Sequence, residues 1–197
     1  MKHFGKLAVL GAVLAASASS AFAAPIVGTV VYSSGVETVT GQTTFTATAT
    51  ETVFKDLSNA FAGCAGNCLT FQIQVTDLTG EFLEHVTFGS FLGFLTQGGF
   101  TAVAGDVAPS GLGPNINNGF TFDFLTTAIS NGKTSDLLYV QTNATAFKPG
   151  TIGAIDNSAG SAAAMVPSTV PEPNSLMLLG TGLVSAAGML MRRRQTA

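Results

Sequence analysis

The sequence predicts an all-β protein: an antiparallel β-sandwich ectodomain held between an N-terminal signal peptide and a C-terminal transmembrane helix. Three observations predict it. From Pro25 to Asp156 the chain repeatedly alternates apolar and polar residues, the pattern of half-buried strands. The first residues have the layout of a removable export signal. The last are an apolar run closed by an arginine cluster, the layout of a membrane anchor. The expected boundaries are a signal peptide over 1–23, a sandwich over 24–157, a flexible spacer over 158–169 and a terminal signal over 170–197.

At the amino end, Lys2 and Lys6 form a short basic segment, Leu7 to Ala16 is uninterruptedly apolar, and Ala21-Phe22-Ala23 supplies an A-x-A cleavage site. The apolar run is shorter than the about 20 residues that span a bilayer. It therefore reads as a signal for the Sec translocon, removed by signal peptidase between Ala23 and Ala24. Removal takes His3 with it and leaves His85 as the one histidine.

Strands follow in turn. Phe45, Ala47 and Ala49 alternate with Thr44, Thr46, Thr48 and Thr50; Leu69, Phe71, Ile73 and Val75 alternate with Thr70, Gln72, Gln74 and Thr76. Phe120, Phe122 and Phe124 flank Thr121 and Asp123, and Asp136 to Phe147 reads as one more strand. Short strands separated by glycine-rich turns suggest two packed antiparallel sheets. Two segments depart from the period. Phe54, Leu57 and Phe61 recur at helical spacing, which predicts a short helix within Val53 to Ala62. Glu81 to Gln97 is mixed and reads as strand pairs broken at Gly89 and Gly93. Ser158 to Val170 is rich in Ala and Ser, contains Pro167, and reads as a flexible spacer.

Cys64 and Cys68 are the only cysteines. In an exported chain a local disulfide is the default; a metal pair completed by His85 is the alternative, although two thiolates are half a zinc site. The expectation is no metal and no cofactor. Catalysis has little to stand on. No G-x-S-x-G elbow occurs, and a serine triad would need His85, beside Glu84, as its base. Asn115-Ile116-Asn117-Asn118-Gly119 with Asp123 can be read as calcium ligands or as an ordinary turn. The row Thr44, Thr46, Thr48 and Thr50 resembles a rank of an ice-binding face, but such faces use several equivalent ranks, and a single rank is more often the solvated side of a strand, where Thr is favoured.

The carboxyl end is the most specific part. Asn174 to Met191 carries no charge over 18 residues, and Arg192-Arg193-Arg194 follows at once. A helix of that length reaches about 27 Å, near the hydrocarbon thickness of a bilayer. The arginines stay on the cytoplasmic side, stop transfer, and leave the ectodomain outside. Before the helix stand Val170-Pro171-Glu172-Pro173, whose prolines hold the backbone extended and lack N–H donors. A Pro-Glu-Pro motif, an apolar helix and an arginine cluster, in that order at the chain end, resemble the PEP-CTERM sorting signal, a tail also labelled ice-binding protein C-terminal. The stretch Leu137 to Ile155 is loosely similar to the last strands before such tails. The resemblance implies that a membrane-embedded exosortase cuts near the Pro-Glu-Pro, in Gram-negative bacteria that make exopolysaccharide.

Composition narrows the function classes. The chain is 46% hydrophobic and 10% charged, with a mean hydropathy of +0.43. Between Ala24 and Pro167 stand ten acids against Lys55, Lys133 and Lys148, a net charge of −7 with no arginine. Nucleic-acid binding needs clustered cations and is set aside. The expectation is a non-enzymatic surface or extracellular-matrix protein, first an inner-membrane precursor with its ectodomain in the periplasm, then displayed within the exopolysaccharide of a biofilm. The alternatives are a secreted polysaccharide hydrolase and a small ligand- or ice-binding module.

Overall fold

The computed structural model describes residues 26–41, 45–64, 66–156 and 158–169. The residues expected to form the signal-peptide site (Ala21, Ala23, Ala24), Thr44, the sorting motif (Val170, Pro171, Glu172, Pro173), the helix 174–191 and Arg192, Arg193 and Arg194 lie outside the described residues.

Among the described residues eleven strands build the domain: β1 (Gly28–Ser33), β2 (Glu37–Gly41), β3 (Phe45–Asp56), β4 (Leu69–Gly80), β5 (His85–Phe88), β6 (Thr96–Thr101), β7 (Gly111–Pro114), β8 (Phe120–Asp123), β9 (Leu137–Thr142), β10 (Ala146–Ile155) and β11 (Ala159–Ser168). Every strand–strand ladder is antiparallel. No helix occurs among the described residues. The hydrogen-bonded order is β6-β9-β4-β3-β2-β11-β10-β5-β8-β7, with β1 added on β3. This path folds into two antiparallel sheets. β6, β9, β4 and β3 form one, and β11, β10, β5, β8 and β7 the other. β2 links them by only two register pairs to β11, Gly160 with Gly41 and Ser161 with Thr40.

Alternation decides what lies between the sheets. Phe45, Ala47, Ala49 and Val53 of β3, then Leu69, Phe71, Ile73 and Val75 of β4, all point inward and are buried. Val86, Phe88, Phe120 and Phe122 face them from the other sheet. Phe91 bridges the two, meeting Phe71 at 5.7 Å and Phe88 at 6.1 Å between ring centroids, both edge-on, the arrangement aromatic pairs prefer.

Four expectations are corrected. Residues 53–62 hold no helix: Val53–Asp56 complete β3, paired on both edges by β1 and β4, and a turn follows. Two ladders fix that backbone, while an isolated helix of ten residues is marginal in water. Glu81 to Gln97 is not a set of paired strands. It supplies β5 to one sheet and β6 to the other, and the crossing loop contains Gly93 at φ +86°. Asp136 to Phe147 is interrupted after Thr142, where the chain passes from β9 in one sheet to β10 in the other. Most consequentially, 158–169 is not a spacer. Residues 159–168 are β11, matched to β10 over ten register pairs. Its Gly160, Ala162, Ala164 and Val166 are buried. Small residues that read as linker composition were alternating all along. The last strands before the tail are thus β10 and β11, and the tail leaves the domain directly from Ser168.

Candidate functional site

The outward face of β7, β8 and β5 carries a cleft lined by imidazole, carboxylate, amide and hydroxyl groups. Because Val86, Phe88, Phe120 and Phe122 point inward, the residues between them point out: His85 and Thr87 from β5, Thr121 and Asp123 from β8. The register places His85 directly opposite Asp123. The side chains meet at 2.7 Å between Nδ1 and Oδ1, with each about a third exposed. They sit in an open cleft of about 510 Å³, lined also by Leu112, Pro114, Asn115, Asn117 and Ile155. That volume suits a small polar ligand, and the lining offers imidazole, carboxylate, amide and hydroxyl groups. The Thr87 hydroxyl is covered and holds no hydrogen bond.

The Asn115–Gly119 loop closes upon itself. Asn115 Oδ1 accepts the backbone N–H groups of Asn117 and Gly119, both at 2.9 Å, and its Nδ2 donates to Thr121 Oγ1. Asn118 takes the left-handed conformation, φ 59°, which Asn tolerates better than most residues. The Asn115 carboxamide is thus occupied by an Asx turn, and Asp123 by His85. Of the two readings of this loop, the geometry matches the turn.

Cys64 and Cys68 are bonded to each other, S–S 2.10 Å. They sit in the β3–β4 connection, near Asp56. This buried carboxylate accepts from Ser58, from Thr70 Oγ1 at 2.6 Å and from Gln141 Nε2 at 3.0 Å. The disulfide and the carboxylate together tie this loop to β4 and β9. His85 is engaged with Asp123 on the other sheet, so the cysteine–histidine metal alternative has no geometric basis.

On β3 the threonine row is partly a rank across strands: Thr38, Thr48 and Thr76 stand side by side, and Thr76 Oγ1 lies 2.9 Å from Thr134 Oγ1. A second rank, Thr40, Thr46 and Thr79, stands beside it, offset by the register shift between Thr46 and Ala47.

Sequence reasoning missed the inward acids. Glu51 and Asp77 occupy core positions of β3 and β4, and Asp156 follows the inward Ile152 and Ala154 of β10. Strand parity alone would have found them. Glu51 Oε2 accepts the Met165 N–H at 2.7 Å, an amide of β11 beyond the reach of β2, while Oε1 has no partner. Burial pushes the Glu51 carboxyl up to about 7, against the lowering effect of that amide. Burial also raises Asp77, and the nearby Asp156 charge adds to it; the Thr79 amide offsets only part.

Residues 169–195 match the family model of the PEP-CTERM protein-sorting motif. No curated protein and no solved structure matches the chain significantly. The matched segment begins one residue after β11 ends. The chain therefore carries a PEP-CTERM sorting motif, which implies an exported protein with exosortase as its processing partner.

Proposed function

We propose that this chain is a non-enzymatic β-sandwich protein of the cell surface, exported through the Sec translocon, cut by signal peptidase after Ala23 and by exosortase near Pro171-Glu172-Pro173. The precursor is held in the inner membrane by 174–191 with Arg192 to Arg194 inside, and the released ectodomain acts in the exopolysaccharide layer. The observation that carries the reading is the motif match at 169–195, joined directly to the last strand of the domain. The physical chemistry supports it. Two prolines around Glu172 favour an extended backbone that a protease cleft accepts, and an uncharged 18-residue run suits a bilayer. The cleft around His85 and Asp123 supplies hydrogen-bonding groups of the kind that bind sugar hydroxyls, at a size that suits one or two sugar units. Replacing Pro171, Glu172 and Pro173 by alanine tests the sorting step in a host that has an exosortase. The tail should then remain attached in the membrane fraction, whereas an unchanged distribution would contradict the proposal.

A second reading has one observation in its favour. The His85–Asp123 pair resembles the base and orienting carboxylate of hydrolytic sites, which suits a secreted polysaccharide hydrolase. Substituting His85 by Ala separates the two. A hydrolase loses polysaccharide turnover, while a binding protein shows none before or after and changes only in polysaccharide retention.

A further inference from the structure

Both ends of the sandwich expose apolar side chains, and their surroundings differ. One end gathers the β3–β4 loop, the β5–β6 loop, the β7–β8 loop and the end of β11. The links at this end are explicit: Asn59 Nδ2 of the β3–β4 loop donates to the Thr142 carbonyl at the end of β9, Leu95 N–H to Asn143 Oδ1, and Phe91 N–H to the Asn118 carbonyl. Asn143 lies between Thr142 and Ala146, and Ala146 is paired with Ser168, the last residue of β11. Leu57, Leu92, Leu95 and Ile116 are all exposed here, Ile116 to 97%. Lys55 and Lys148, two of the three lysines of the ectodomain, are exposed on the same half. Among the described residues, the acid at this end is Asp56, buried and hydrogen-bonded. The opposite end exposes Phe82 and Leu125, but places them near exposed Glu81 and Glu84, with Asp77 and Asp156 beneath. The third lysine, Lys133, is exposed at that end too, where its carbonyl accepts the Asp77 N–H, so it stands there among several acids, whereas Lys55 and Lys148 have no exposed acid beside them among the described residues of their end.

We propose that the end carrying Leu57, Leu92, Leu95 and Ile116 is a membrane-facing surface, which rests on an anionic lipid leaflet while the tail is still inserted. The proposal rests on the reading of 174–191 as a transmembrane helix. Given that helix, the chain length dictates the geometry. From Thr169 to Asn174 there are five residue steps, at most about 17 Å when fully extended. Ser168 ends its strand at this same end, so this end is tethered within that distance of the bilayer. Exposed leucine and isoleucine side chains held there gain by entering the interface. Lys55 and Lys148 meet anionic headgroups favourably, and the acidic end points away. Docking of this kind holds Pro171-Glu172-Pro173 at the membrane surface, where a membrane-embedded protease works.

The chain contains no tryptophan, which gives a direct test. Ile116→Trp and, separately, Leu125→Trp are made in the full-length chain and reconstituted into vesicles of phosphatidylethanolamine and phosphatidylglycerol, with plain or brominated acyl chains. Both positions are exposed, so neither substitution disturbs the core; Leu92→Trp serves as a second probe of the docking end. The expected result is loss of Ile116→Trp and Leu92→Trp emission in brominated lipid, with Leu125→Trp emission unchanged. Chain that floats with the vesicles while Ile116→Trp and Leu92→Trp stay unquenched overturns the docking surface and leaves the anchor intact. Equal quenching of Leu125→Trp also overturns it, since the domain would then have no preferred end. Chain that does not float overturns the anchor, and the docking surface with it.

Discussion

Replacing Glu51 by Gln should make the domain more resistant to unfolding at alkaline pH and leave it nearly unchanged in acid. Glu51 is an inward residue of β3 whose carboxyl sits at about 7 in the folded chain, against an ordinary 4.5, because burial penalises its charge. The unfolded chain releases this proton near 4.5 while the folded chain keeps it to about 7. Between those values the folded state binds more protons, so stability falls as pH rises. At about 1.4 kcal/mol per pH unit, the full loss approaches about 3 kcal/mol above pH 7. Glutamine keeps an oxygen for the Met165 N–H, which Glu51 Oε2 now accepts at 2.7 Å, and cannot ionise. Urea unfolding of both chains in mild detergent at pH 5 and pH 8.5, followed by far-ultraviolet circular dichroism, measures the difference. The wild type should lose about 2–3 kcal/mol more than the variant over that interval. Asp77 is raised in the same direction and remains in both proteins, so it cancels in the comparison. Parallel curves for the two chains would refute the reasoning, because they would mean that Glu51 does not hold its proton in the folded state.

Other outcomes follow from the same structure. Val166→Asp on β11 puts a carboxylate at a buried position and should cost at least about 3 kcal/mol in the same unfolding assay; a flexible spacer would tolerate it without effect. Replacing both Cys64 and Cys68 by Ser should cost about 2 kcal/mol, the entropy of closing a short loop, and thiol labelling of the unfolded, unreduced wild type should find no free sulfhydryl. Amino-terminal sequencing of the surface protein should begin at Ala24; a start at Met1 would contradict the removable signal.

The strands that could be read from the sequence were those whose side chains differ strongly between faces. In β3, β4 and β8, phenylalanine, leucine and isoleucine alternate with threonine and glutamine, and their inward sets are the ones buried. β11 escaped because its inward Gly160, Ala162, Ala164 and Val166 differ little from its outward Ala159, Ser161, Ala163 and Met165, too alike for composition to reveal parity. Its ten pairs with β10 depend on a neighbour that periodicity cannot see. The Val53 to Ala62 segment failed for the opposite reason: a real apolar spacing, overridden by the ladders β3 makes on both sides. His85 and Asp123 were each visible as residues, but only the β5–β8 register brings them together from 38 positions apart. Glu51 was hidden by its charge, since a carboxylate is assumed to face water, yet its position in the β3 alternation pointed inward. Sorting was legible because it depends on an ordered linear motif and not on contacts.

Mass spectrometry of the protein recovered from the surface of exosortase-bearing cells tests the central claim most directly. The account predicts a chain that starts at Ala24, ends near Pro171-Glu172-Pro173, and weighs two hydrogens less than its reduced form because Cys64 and Cys68 are joined. A surface protein that still carries 174–191 and Arg192 to Arg194 would contradict it.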